Sequence, residues 1–245
     1  MRWALARNSR DVLRRWMSGE TLLAFDFDGT LAPIVNDPDR AHMRVSTRRL
    51  LRRLAAAYPC VVISGRARAE VRDKLAGTGI RRIIGNHGAE LWERAPEMRR
   101  QVAHWRASLE RGLPALPGMR IEDKKLSLTV HYRQCRWKAK AREAILQAAG
   151  SLPEVRVIGG KQAISLVPRN APNKGTALKA ELTHLGYQRA LYAGDEETDE
   201  DVFALGGALC LLSIRVGRKA DSQAAYYLRN QREMDDLLRS LVDCG

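Results

Sequence analysis

The 245-residue sequence lacks several features that would identify a membrane or secreted protein. It contains no run of about 18 apolar residues, which argues against a membrane-spanning helix. Its basic start, MRWALARNSRDVLRRWM, has no apolar core followed by small residues, so it does not read as a secretory signal. Aromatic residues are only 6% of the chain, which leaves few stacking platforms for single-stranded nucleic acid.

Cysteine is also scarce. The four cysteines lie far apart and form no CxxC pair, so the spacing of a zinc site is absent and a disulfide framework is not expected. We expect reduced thiols and a cytoplasmic protein.

Acidic residues are in the minority. With 42 basic and 28 acidic residues, the net charge is +14, which suits either nucleic acid or a small anionic substrate. The basic residues are scattered and form no long tract, so we expect no nucleic-acid partner and no membrane partner. A non-catalytic, RNA-binding protein is the alternative that the charge alone would allow.

Short apolar segments alternate with segments of helical period, a pattern typical of an α/β protein with a parallel sheet. The predicted strands are 21–27, 60–64, 82–85, 190–193 and 208–212. Predicted helices follow Ser46 as an N-cap, begin near Lys174, and end the chain with Met234, Leu237, Leu238, Leu241 and Val242 on one face.

The middle of the chain has a different pattern. Apolar residues alternate with polar ones from Leu126 to Arg133, which predicts a strand with one wet face, and a helical pattern with Trp137 on its apolar side follows. Two further strands are predicted at 155–158 and 163–167. We therefore expect a core of residues 1–92 and 170–245 with a smaller α+β unit, 93–169, inserted at junctions near Glu93 and Arg169.

A pair of carboxylates follows the first predicted strand, in the sequence LLAFDFDGTL. Asp26 and Asp28 are two residues apart, so an extended chain directs both side chains to one side. Gly29 then permits a tight turn and a close approach of backbone amides to a ligand. Because ligands of parallel sheets bind beyond the carboxyl ends of strands, this pair predicts a functional site.

A second acidic segment, GDEETDED, follows the strand at 190–193. Such a density of carboxylates needs a positive charge nearby, and divalent cations take oxygen ligands. We assign Asp195 and Asp199 to the site and interpret Glu196, Glu197, Glu200 and Asp201 as an acidic helix start.

Two smaller elements would complete a phosphate site. Ser64 ends a strand with a hydroxyl that can donate to phosphate oxygens. Lys174 brings an ammonium group to the start of a helix, which already favours anions.

These four motifs, DFDGTL, Ser64, Lys174 and GDEETD, resemble those of the haloacid-dehalogenase-type (HAD) phosphatases. More narrowly, GNHGAE, EDKKLSLTVHYR and NKG resemble segments of trehalose-6-phosphate phosphatases. The similarity runs from about Leu22 to the end of the chain. It implies a Rossmann-like core with an inserted cap that determines specificity, a Mg²⁺ cofactor and an aspartyl-phosphate intermediate in the hydrolysis of trehalose 6-phosphate, a step of trehalose biosynthesis.

The resemblance also implies residue roles. Asp26 corresponds to the nucleophile, Asp28 to the general acid and base, and Ser64 and Lys174 to the groups that hold the phosphoryl oxygens. The implied metal ligands are Asp26, the backbone carbonyl of Asp28 and Asp195, with Asp199 in support. The residues implied to bind the substrate are Gly29, Asn86, His87, Glu122, Lys124, His131 and Arg133.

One position departs from the family pattern. Ser165 stands where the family usually has glutamate, which leaves a HAD phosphatase acting on another sugar phosphate as the alternative. The remaining implied partner is a trehalose-6-phosphate synthase.

Overall fold

The computed structural model describes residues 1–17, 20–35, 37–91, 95–160 and 162–244. They form two compact units, one of Met1–Gly88 with Asn173–Gly245 and one of Ala89–Pro172. The predicted junction at Glu93 lies outside the described residues, and the second unit ends a few residues beyond Arg169. Within the described ranges, no helix has the length and apolar character needed to cross a membrane.

The first unit alternates strands and helices before and after the second unit. Its leading elements are β1 (Arg2–Trp3), α1 (Arg10–Met17), β2 (Thr21–Phe25), α2 (Val45–Ala57), β3 (Cys60–Ile63), α3 (Arg68–Lys74) and β4 (Arg82–Ile84). The second unit contributes α4 (Ala95–Gly112), β5 (Arg120–Asp123), β6 (Leu128–His131), α5 (Lys138–Gly150), β7 (Val155–Gly160) and β8 (Ala163–Pro168). The first unit resumes with α6 (Lys174–Leu185), β9 (Arg189–Gly194), α7 (Glu200–Phe203), β10 (Cys210–Val216), β11 (Tyr226–Leu228) and α8 (Glu233–Asp243).

The strands of the first unit form one sheet. Across its described residues the order is β1-β11-β10-β9-β2-β3-β4, and every neighbouring pair is parallel. The expected α/β fold with a parallel sheet is therefore confirmed.

Strand β2 lies inside this sheet, between β9 and β3, and is buried on both faces. Its odd-numbered residues Leu23 and Phe25 pack with α1, α2 and α8, whereas the even-numbered Leu22 and Ala24 pack with α6 and α7. This alternation follows from the two-residue period of a strand. It directs the side chain of Asp26, the next even-numbered residue, to the face that α6 covers.

The second unit is an antiparallel sheet, order β5-β6-β8-β7 in the described chain, with α4 and α5 packed on one face. Trp105 of α4 is fully buried in this core. The predicted helical face is partly wrong, because Trp137 precedes α5 and is 54% exposed, while Ala141, Ile145 and Ala149 form its buried side.

The predicted wet face of β6 is also partly wrong. His131 and Arg133 are half-buried, but Ser127 and Thr129 are buried. The Oγ1 atom of Thr129 lies 3.0 Å from Oγ of Ser165, so these hydroxyls satisfy each other on the polar face of the sheet.

Ser46 is not the cap of α2, contrary to the prediction. The helix begins at Val45 after Arg44, and Ser46 instead donates a hydrogen bond to Oδ2 of Asp235 at the start of α8, at 2.6 Å. A hydroxyl that binds a carboxylate of another helix is unavailable to cap its own.

Candidate active site

Three of the predicted residues follow adjacent strands at one edge of the sheet. Asp26 comes after β2, Ser64 after β3 and Asp195 after β9, and these strands are neighbours. The backbone N–H of Asp26 donates to the carbonyl of Ala193 at 2.9 Å, which holds the ends of β2 and β9 together. The carboxyl ends of parallel strands thus bring residues far apart in sequence to one place.

Lys174 completes this group from the first turn of α6. A capping box formed by Asn173 and Thr176 fixes the helix start. The fully buried Nζ of Lys174 donates to Oδ1 of Asp26 and to Oδ1 of Asp199, both at 2.8 Å. Burial alone would lower the pKa of Lys174, but the charges of Asp199 and Asp26 raise it well above its usual value.

The carboxylates of Asp26, Asp195 and Asp199 form a compact, buried cluster. In the described part of the chain, one oxygen from each lies within 4.8 Å of the others. Burial and the neighbouring acidic groups raise the pKa of Asp26 well above its usual value, although Lys174 opposes this. Oδ2 of Asp26 is buried and has no hydrogen-bond partner among the described residues. Three buried carboxylates that offer hard oxygen donors fit a divalent cation such as Mg²⁺.

Asp199 is held from three directions. Its Oδ1 accepts from Lys174 and from the hydroxyl of Tyr192 at 2.6 Å, and its Oδ2 accepts from the backbone N–H of Glu196 at 2.7 Å. Asp199 is therefore oriented by the protein itself.

Cations also compensate the outer part of the acidic segment. Arg215 of β10 donates to Oε1 of Glu200 at 2.7 Å and to the backbone carbonyl of Asp195 at 2.7 Å, and Lys219 pairs with Glu197 at 2.9 Å. Glu197 and Glu200 thus each pair with a cation of the protein.

Two glycines leave room for the carboxylates of Asp195 and Asp199. A Cβ atom on Gly29, which has φ +79°, would lie 2.2 Å from Oδ2 of Asp195. A Cβ on Gly194 would lie 2.2 Å from Cγ of Asp199. Side chains at these positions would collide with the cluster, so the DFDGT turn and the start of the acidic loop both require glycine.

The carboxylate of Asp28 has a different partner. Nε and Nη2 of Arg66 donate to its Oδ2 and Oδ1 at 2.5 and 2.8 Å. Its predicted contribution to the metal site was the backbone carbonyl, which stays a prediction. Arg66 and Tyr192 are the site residues that sequence reasoning missed, although Arg66 lies just two residues beyond Ser64.

The loop after β4 packs against the loop after β3. The backbone N–H of His87 donates to the carbonyl of Ser64 at 2.9 Å, and that of Asn86 donates to Arg66 at 2.8 Å. Both residues adopt left-handed φ values, 49° for Asn86 and 56° for His87. The imidazole of His87 fills the space where a Cβ on Gly65 would be, so the structure brings Asn86 and His87 beside Ser64.

The remaining predicted residues lie in the second unit. Oε2 of Glu122 is 2.7 Å from Nε2 of His131 and 3.9 Å from Nζ of Lys124. Burial would raise the pKa of Glu122, but the hydrogen bond with His131 and the charge of Lys124 lower it to about 2. Arg133 follows just beyond the end of β6. Glu122, Lys124 and His131 therefore form a charged group on the polar face of this sheet.

The chain is similar to known proteins. A family model described as Trehalose-phosphatase matches residues 24–230. The chain is 31% identical to a protein named probable trehalose-phosphate phosphatase 9 from Oryza sativa, over 96% of this chain and 73% of that protein. It is 34% identical to a trehalose-phosphate phosphatase of Mycobacterium ulcerans, over 82% of this chain and 55% of that protein.

The fold also matches a solved structure. The C-terminal domain of Candida albicans trehalose-6-phosphate phosphatase superposes with a TM-score of 0.76 at 22% identity, over 96% of each chain. The likeness supports the HAD-type fold that the motifs implied. On the evidence of the matched family model and these relatives, the chain belongs to the trehalose-phosphatase family, a family of phosphoric monoester hydrolases.

Proposed function

We propose that this protein is a Mg²⁺-dependent phosphatase that hydrolyses trehalose 6-phosphate to trehalose and phosphate. Membership of the trehalose-phosphatase family supports the substrate, and the names of the relatives favour it over another sugar phosphate. A trehalose-6-phosphate synthase would supply that substrate.

One observation supports the chemistry above all others. Asp26 is buried, is held through Oδ1 by Lys174, and has its Oδ2 unpartnered among the described residues, beside Asp195 and Asp199. A buried carboxylate with one fixed oxygen and one open oxygen is suited to act as a nucleophile.

The reaction then takes two steps. Asp26 attacks phosphorus, the bond from phosphorus to the sugar oxygen breaks, and Asp28 gives that oxygen a proton. Water next attacks the phosphorus of the aspartyl phosphate, Asp28 takes a proton from it, and the carboxylate of Asp26 is restored as phosphate leaves. Ser64 and Lys174 hold the phosphoryl oxygens, and the fixed position of Lys174 avoids reorganisation during transfer.

Asp26, Asp195 and the backbone carbonyl of Asp28 would hold Mg²⁺, with Asp199 in support. When bound, the ion offsets the repulsion between a carboxylate and a phosphate dianion, which otherwise opposes the attack.

In this proposal, residues 93–169 form a cap that determines specificity. The family resemblance assigns substrate binding to Gly29, Asn86, His87, Glu122, Lys124, His131 and Arg133. Charged and hydroxyl groups on one sheet face suit a ligand with many hydroxyls. Ser165, whose hydroxyl lies 3.0 Å from that of Thr129, stands where the family usually has glutamate.

The test is phosphate release from a panel of sugar phosphates, with and without Mg²⁺. We expect trehalose 6-phosphate to be the preferred substrate and activity to require the metal. D26N should abolish turnover while the protein stays folded, and D11N, a matched change at an exposed aspartate, should keep it. Equal or better turnover of glucose 6-phosphate would reject the substrate, and an active D26N would reject the nucleophile.

A further inference from the structure

Arg66 is a nearly buried cation whose partners include the proposed acid and base. Its side chain is 9% exposed, and its Nε and Nη2 groups donate to the two oxygens of Asp28 in a bidentate pair. It also forms an ion pair with Glu70, one turn along α3. The guanidinium carbon lies 6.0 Å from the centroid of the Phe27 ring.

The backbone of Asp28 is fixed independently of Arg66. The N–H of Gly29 donates to the carbonyl of Ala32 at 2.7 Å, and the N–H of Ala32 donates to Phe27 at 2.9 Å, which closes a tight turn. What remains free is rotation of the Asp28 side chain, which is 27% exposed. A bidentate guanidinium fixes both the plane and the direction of a carboxylate.

We propose that Arg66 is a positioning residue that orients the carboxylate of Asp28 for proton transfer to and from the reacting oxygens. The inference rests on the function proposed above for Asp28. A carboxylate has about four lone-pair sites, and the bidentate pair uses one on each oxygen. Each oxygen therefore keeps a site for a proton while Arg66 stays in place.

The proposal predicts dependence on the leaving group. The sugar oxygen of trehalose 6-phosphate needs a proton as the bond to phosphorus breaks, whereas the phenolate of p-nitrophenyl phosphate leaves without one. The value of kcat/KM reports the steps up to release of the leaving group, so later hydrolysis of the aspartyl phosphate does not obscure the comparison.

R66M should lower kcat/KM for trehalose 6-phosphate about 100-fold, the lower end of a general acid's contribution, and that for p-nitrophenyl phosphate by less than about threefold. R66K, which cannot hold both oxygens, should show the same selectivity with a smaller loss. It also provides the test if R66M fails to fold. Equal losses on both substrates would mean that Arg66 binds the phosphate and would overturn the proposal, as would no loss at all.

Two comparisons between variants isolate the contribution of the Arg66–Asp28 pair. E70Q removes a second ionic partner of Arg66 and leaves Asp28 intact, so its effect on trehalose 6-phosphate should be far smaller than that of R66M. R66M added to D28N should cost nothing further, because Arg66 acts through Asp28. An additional loss as large as in the wild-type background would contradict this.

Failure of the inference differs from failure of the proposed function. If D28N is impaired and R66M is not, only the role of Arg66 is wrong. If D28N keeps wild-type activity, the assignment of Asp28 itself is wrong. If the wild type hydrolyses p-nitrophenyl phosphate but not trehalose 6-phosphate, the substrate is wrong, and the leaving-group comparison applies to the alkyl phosphate that is turned over.

Discussion

At the scale of single residues, Asp199 shows how a buried carboxylate is prepared for its role. Donors from Lys174, Tyr192 and the backbone of Glu196 fix both of its oxygens. The motif spacing predicted Asp199, but Tyr192 reads as an ordinary core residue of a strand. The role of its hydroxyl becomes visible only in the structure, where the hydroxyl donates to Asp199 of the acidic loop. A polar atom on a large apolar side chain is easily missed in this way.

We predict that Y192F weakens both the fold and Mg²⁺ binding at the proposed metal site. The phenyl ring keeps its edge contact with Phe203, at 6.0 Å between centroids, so packing is preserved. Loss of a hydrogen bond to a buried charged group should lower the free energy of unfolding by about 1.5–3 kcal/mol, measured by urea denaturation without metal. The Mg²⁺ dissociation constant from calorimetry should rise. Y226F in β11, two strands from β9, is the control, and equal effects of the two changes would contradict the prediction.

At the scale of elements, the start of α8 is tied to α2 and to the loop after β2. Asp235 accepts hydrogen bonds from Arg44, Ser46 and Thr47, and Nε2 of Gln231 donates to the carbonyl of Thr30 at 2.7 Å. The apolar pattern of α8 was visible in the sequence, and its leucines are buried as predicted. These polar contacts join positions nearly two hundred residues apart, which no local pattern could indicate.

D235N should loosen this junction. Because several donors lose a charged acceptor, we expect a loss of about 1.5–3 kcal/mol in the free energy of unfolding at pH 7, measured with urea. D236N is a matched control, since Asp236 is exposed and pairs only with Arg239 within its own helix among the described residues. It should change stability by less than about 0.5 kcal/mol. Equal losses of stability in the two variants would mean that the contacts of Asp235 do not stabilise this junction.

The contribution of Asp235 should also depend on pH. Burial would raise its pKa, but the hydrogen bonds from Arg44, Ser46 and Thr47 hold it below the ordinary value of 3.8. A carboxyl group with a lowered pKa in the folded state stabilises the protein above its unfolded pKa. That stability is lost as the pH falls through the folded value. The difference in free energy of unfolding between wild type and D235N should therefore shrink below about pH 4 in urea titrations. A difference that stays constant with pH would contradict the lowered pKa of Asp235.

At the scale of the whole molecule, the motifs at strand ends were the most predictable part. The apolar strands before Asp26, Ser64 and Asp195 identified both the parallel sheet and the edge where these residues meet. The two-residue strand β1 and the three-residue β11 escaped prediction, because so few residues show no period. The pairing of Arg66 with Asp28 was not predicted, because this contact depends on β2 and β3 being neighbours in the sheet.

The net charge of +14 should affect stability as a whole. Mutual repulsion of an excess of like charges destabilises a compact chain, and salt screens it. We predict that raising NaCl from about 10 to about 150 mM at pH 7 raises the urea midpoint. Near pH 10, close to the isoelectric point of about 10.2, the same step should have no such effect. A lower midpoint at pH 7 would mean that local ion pairs outweigh the general repulsion.

The alternation of faces along β2 has a consequence for any change in chain length. Leu23 and Phe25 face one core while Leu22 and Ala24 face the other. A single residue inserted within β2 would exchange these faces for everything that follows. Asp26 would then enter the apolar layer beneath α2 and α8, and the ring of Phe27 would meet the ammonium of Lys174. The number of residues in β2 therefore matters as much to the proposed reaction as the identity of the aspartates that follow the strand.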